Sequence, residues 1–139
     1  MNSYPGGYND DVLLAEVPAT SDAKLKLVEE IKFRAKGVIA SRNFPEAVKL
    51  YSKALDCAAE SESDKVAAVL FANRSACYLN MNLSSQALED ANSAIGKDAT
   101  YLKSYYRKAM SLIALGRKVT EAAPASCIDT HYLSCLLHC

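Results

Sequence analysis

Apolar positions through the middle of the chain recur at steps of three and four, the spacing that keeps side chains on one face of an α-helix. From Ser21-Asp22 onward, Leu25, Leu27, Val28, Ile31, Ala35 and Val38 fall largely on one side, which predicts a first helix over residues 22–41. Asn43 is placed to cap a second helix, with Pro45 in the first turn, where a missing N–H costs little. Its inner stripe is Ala47, Leu50, Tyr51, Ala54 and Leu55, and it should end near Ala59. Asp64 opens a third helix, whose apolar members Ala67, Leu70, Phe71, Ala72, Cys77 and Tyr78 continue until Asn80 and Asn82 break the run. A fourth is expected from Ser84 to about Ile95, closed by Gly96. A fifth follows Thr100 and carries Tyr105, Ala109, Leu112 and Leu115 inward until Gly116 stops it. The fold class predicted is all-α.

The pattern repeats. Ala47, Tyr51 and Ala54 share their internal spacing with Ala87, Ala91 and Ala94, and the second trio lies 40 positions after the first. Without the polar run from Ala58 to Ser63, the period falls near the ~34 residues of one class of helical-hairpin repeat. Small residues at these positions let two helix backbones approach closely, while Tyr51, Phe71 and Tyr78 fill the spaces between. The organisation expected is a flexible tail over residues 1–21, a repeat domain over 22–117 and an atypical tail over 118–139. In that last tail Glu121 occupies the place of Ala47 and Ala87, and Pro124 interrupts, so the third repeat is expected to be cut short. Ile128, Tyr132, Cys135 and Leu136 have the spacing of a short helix, from about Ser126 to His138, that caps the fifth.

Composition narrows the partners. Sixteen basic side chains balance 16 acidic ones, so no bulk field draws in nucleic acid or anionic lipid and a local patch must choose the ligand. No stretch approaches the ~20 apolar residues of a membrane span. Five cysteines without a CxxC pair, and no secretory apolar region at the start, fit a reduced cytoplasmic setting, with the nucleus as an alternative.

Two segments carry a family likeness. Ala72-Asn73-Arg74-Ser75-Ala76-Cys77-Tyr78 and the run from Tyr101 to Ala109 resemble the second and third A-helices of tetratricopeptide repeat domains of the carboxylate-clamp class. Such domains occur in heat-shock co-chaperones and in a protein phosphatase that bears these repeats. The resemblance, over residues 24–117, implies hairpins stacked as a right-handed superhelix around a concave groove. It also implies a function, binding of the acidic carboxyl-terminal tail of a heat-shock chaperone ending in Glu-Glu-Val-Asp. By position the peptide-binding residues are Lys32, Asn73, Lys103 and Arg107, and Lys36 stands where the family has an asparagine. Lys103 and Arg107 are four apart and share a helix face, where both can meet one anion. Asn73 lies within an apolar helix, where a leucine or alanine would serve folding better.

Other chemistries find less support. There is no Gly-rich phosphate loop or nucleophile elbow, and no histidine precedes His131, so no enzyme activity is expected. The neighbouring acids Glu29 and Glu30, and Glu89 and Asp90, read as solvated surface. Cys127, His131 and Cys135 would share a helix face but lack the paired-ligand spacing of structural zinc, so no metal or cofactor is expected. The basic cluster of Lys97, Lys103, Arg107, Lys108, Arg117 and Lys118 is interrupted by Asp98 and has no stacking platform for nucleic acid beyond Tyr105 and Tyr106. Two alternatives to the chaperone reading remain: the targeting segment of a repeat-bearing serine/threonine phosphatase, and a general scaffold for a non-chaperone peptide.

Overall fold

The computed structural model describes residues 8–59 and 63–116. Six helices lie within them: α1 (Asp10–Leu13), α2 (Ser21–Ala40), α3 (Phe44–Ala59), α4 (Asp64–Asn80), α5 (Ser84–Lys97) and α6 (Leu102–Ala114). They fall into two compact units, divided between Ser63 and Asp64.

In the first unit α2 packs along α3. Thr20 caps α2 by accepting a hydrogen bond from the Ala23 N–H through its hydroxyl oxygen (3.4 Å). The helix buries Val28, Ile31 and Ala35 against the small stripe of α3, where Ala47, Leu50 and Ala54 are fully enclosed. The turn between them is a Schellman motif: Asn43 N–H donates to the Val38 carbonyl (3.1 Å) and Arg42 N–H to that of Ile39 (2.8 Å), with Arg42 left-handed at φ 58°. The Asn43 side chain then accepts from the Glu46 N–H at 3.4 Å, as a cap for α3.

Residues 8–20, read from sequence as part of a flexible tail, instead dock on this hairpin. The one-turn helix α1 buries Val12, Arg34 donates to Asp11 at 2.6 Å, and the Asn9 amide donates to Glu46 at 3.3 Å. Lys53 also donates to the Ala15 carbonyl. The docking rests on partners far along the chain, and no local periodicity could announce it.

The second unit pairs α4 with α5 and adds α6 against both. Ala87, Ala91 and Ala94 are fully buried, and Leu88 packs on Ala109 and Leu112 of α6. The turn between α4 and α5 is again a Schellman motif, with Asn82 left-handed at φ 59°. Asp90 corrects the sequence reading. It is buried, and accepts two hydrogen bonds from the Arg74 guanidinium (2.7 and 2.8 Å), which itself stands 5.6 Å from the Phe71 ring centre and 5.9 Å from that of Tyr78. Gly96 does not close α5 as expected: the helix runs through it to Lys97, whose ammonium pairs with Asp64 at 3.0 Å. Gly116 does take a left-handed φ of 75° after α6.

The expected capping helix, Glu121 and Pro124, and the set Cys127, His131, Cys135, His138 and Cys139 all lie outside the described residues. Among the described residues no cluster of three metal-ligating side chains occurs, and no helix is long and apolar enough to cross a membrane.

Candidate functional site

Three of the five peptide-binding residues read from sequence share the second unit. Asn73 stands on α4, and Lys103 and Arg107 stand on α6, which packs against it. Arg107 is half-buried, and its Nε is enclosed with no hydrogen-bond partner among the described residues. Its guanidinium carbon lies 5.2 Å from the centre of the Tyr106 ring, which gives the cation an aromatic flank. The group also sits close enough to α4 to be felt by Cys77. Burial pushes the Cys77 thiol up to about 11, while the Arg107 charge pulls in the opposite direction. That thiol is therefore protonated at neutral pH and packs as a small apolar group.

Lys103 lies one turn before Arg107, exposed and without an ion pair among the described residues. Asn73 lies one turn before Cys77, half-buried, with its amide unused by any described residue. Three of the four acids described in this unit are occupied elsewhere: Asp90 by Arg74, Asp64 by Lys97 and Asp98 by Thr100. The Thr100 hydroxyl and N–H hold the Asp98 carboxyl below the usual range and the nearby Lys65 charge adds to this, while burial opposes it. Two cations and an amide thus stand on two packed helices, α4 and α6, and neither cation has an ion pair with a described acid. A planar fork, a point charge and a neutral donor suit a carboxylate with several oxygens to satisfy.

Lys32 and Lys36 lie one turn apart on α2, in the first unit. Lys32 is drawn into a pair with Glu29 (2.9 Å). Lys36 is exposed, has no ion pair among the described residues, and lines a cleft of about 900 Å³ between α1, α2 and α3. Phe33, 73% exposed, flanks the same cleft. Sequence reasoning passed over Phe33. The available signal was its place off the apolar stripe of Val28, Ile31 and Ala35.

The helix-turn-helix pairs, their shared left-handed turns and their stripes of alanine define the tetratricopeptide-repeat fold. Comparison with known proteins agrees. The chain is 38% identical over 102 residues to human serine/threonine-protein phosphatase 5, covering 73% of this chain and 19% of that protein. It is 29% identical over 121 residues to the Hsp70/Hsp90 co-chaperone CNS1 of Saccharomyces cerevisiae, covering 87% of this chain and 31% of that one. The solved structure of Cns1 superposes with a TM-score of 0.69 at 24% identity, over 82% of this chain and 38% of that chain. A complex of the yeast Sti1 TPR2AB domain with an Hsp90 peptide superposes at 0.60, again at 24% identity, over 82% and 45%. No family model matches the chain. The chain thus spans about a fifth of the phosphatase it resembles.

Proposed function

We propose that the chain is an adaptor of the co-chaperone type, which binds the acidic carboxyl-terminal peptide of a heat-shock chaperone. The observation that carries this reading is the unneutralised pair Lys103 and Arg107, with the Arg107 Nε enclosed and unpartnered. Arg107 forks the terminal carboxylates, Lys103 adds charge from the same helix face, and Asn73 donates an amide hydrogen that fixes orientation. The likeness to CNS1 and to the Sti1 domain in complex with an Hsp90 peptide supports the partner class. In this reading the chain acts by binding, not catalysis, in the cytoplasm and with no cofactor.

The 38% likeness to phosphatase 5 favours a second reading, the repeat segment of a phosphatase whose catalytic part is elsewhere. Both readings share the groove chemistry and differ only in what is attached.

The test is a calorimetric titration with a peptide ending in Glu-Glu-Val-Asp, beside the same peptide amidated at its terminus. Micromolar binding, lost on amidation, is expected. Arg107→Ala should lower affinity by ~2 kcal/mol, the scale of a charged hydrogen bond, while leaving the melting temperature nearly unchanged. Equal heats from the two peptides, or equal affinity of variant and parent, refute the clamp.

A further inference from the structure

We propose that the cleft of the first unit, walled by α1, the second half of α2 and the start of α3, is a separate binding site. Its ligand class is an acidic peptide stretch that carries an aromatic or long aliphatic side chain. Asn9 is 2% exposed and lines this cleft, yet its Oδ1 has no hydrogen-bond partner among the described residues. The amide orientation is set by Glu46, which accepts from Nδ2 at 3.3 Å, so the atom left over is an acceptor. Asn9 stands at the start of α1 but its side chain makes no capping hydrogen bond. A buried acceptor left open costs ~1–3 kcal/mol, which a ligand N–H recovers.

Charge selects the rest of the ligand. Of the cations on the cleft wall, Arg34 is engaged by Asp11 and Glu30, and Lys49 lies 3.6 Å from Glu46. Lys36 alone has no acid partner among the described residues, so it is the position for a ligand carboxylate. Phe33 (73% exposed) and Tyr8 (76%) offer aromatic surface at the rim. Gly37, one turn on from Phe33, leaves the wall bare, and a Cβ built there meets no atom within 4 Å. Glycine inside a helix costs ~1 kcal/mol relative to alanine, and no protein contact here requires it. The bare strip lets an apolar side chain lie against the α2 backbone. About 900 Å³ falls within the ~300–1,000 Å³ of ligand pockets and accommodates a short peptide stretch. An N–H donor, a carboxylate and an apolar side chain within that space are the features of such a stretch.

The probe is the peptide Asp-Glu-Phe-Asp-Glu, acetylated at one end and amidated at the other, titrated into the full isotope-labelled chain and followed by NMR. With no terminal carboxylate, its result is independent of the clamp reading. Saturable shifts at the amides of Phe33 and Gly37 are expected, and replacing the peptide phenylalanine by serine should weaken binding at least tenfold. Gly37→Leu fills the strip and favours the helix, so it should raise or preserve the melting temperature while weakening binding at least tenfold. Lys36→Glu, at an exposed position, should cause a similar loss. Absence of saturable shifts at millimolar peptide, or parental affinity in Gly37→Leu, overturns the proposal.

Discussion

Arg34 and Arg74 stand forty residues apart at the same place in two helical hairpins, eight residues before the left-handed turn of each. Their surroundings differ. Arg74 crosses to the second helix of its own pair and forks Asp90, with side chains 20% and 7% exposed. Arg34 finds Leu50 at the position equivalent to Asp90 and turns to Asp11 on α1 and Glu30 on its own helix, acids 62% and 49% exposed. One hairpin is locked by a buried charge pair. The other is closed by apolar packing and uses its arginine to hold a neighbouring segment.

The largest effect that separates the two is thermodynamic. Arg74→Met leaves the Asp90 carboxylate buried without a counterion and should cost ~3 kcal/mol of stability. Arg34→Met exposes acids that are already in water, and should cost no more than ~1 kcal/mol. Chemical denaturation of both variants checks this, and equal losses would erase the distinction. A hydroxyl follows the same division: Ser75 donates to the Ala87 carbonyl at 2.7 Å in the second unit, and Ala35 occupies the equivalent position in the first.

The same contrast explains what could be read from the chain. The five long helices were legible to within about two residues, because Ser21-Asp22, Asn43 and Asp64 mark starts and the alanine stripes fix the buried faces. Gly96 misled because a glycine ends a helix only when its backbone turns left-handed, and here Lys97 has Asp64 to hold it in the helix. Asp90 misled because adjacency to Glu89 says nothing about a partner sixteen residues earlier. The helix α1 was invisible, since Val12 alone is buried from it and its anchors are Arg34 and Glu46. Lys32, Lys36, Asn73, Lys103 and Arg107 were singled out chiefly by resemblance. Spacing along one helix gave only the adjacency of Lys103 and Arg107.

A smaller difference lies in the turns. Asn82 at φ 59° suits the left-handed region, since its short polar side chain tolerates it, but Arg42 at φ 58° does not. Arg42→Gly should therefore stabilise the first hairpin by ~0.5–1 kcal/mol, net of the Arg42 contact with the Phe44 ring (6.0 Å). Asn82→Gly should change stability by a few tenths at most. Thermal melts of the two variants compare the turns directly, and a destabilised Arg42→Gly would show that the Phe44 contact outweighs backbone strain.

The smallest expected effect concerns the segment that Arg34 holds. The hydrogen bond from Arg34, aided by its charge, keeps the Asp11 carboxyl below the ordinary 3.8, with burial opposing it. A group whose folded value is depressed contributes stability at pH values above the unfolded value, and that contribution fades as pH falls through the folded value. Docking of α1 should thus be unchanged from neutral pH down to about pH 4, then loosen below it as Asp11 takes up a proton. Methyl resonances of Val12 should therefore shift at a higher pH than those of Ala91 during acid titration. Simultaneous loss of both signals would mean that α1 belongs to the same cooperative unit as the buried core.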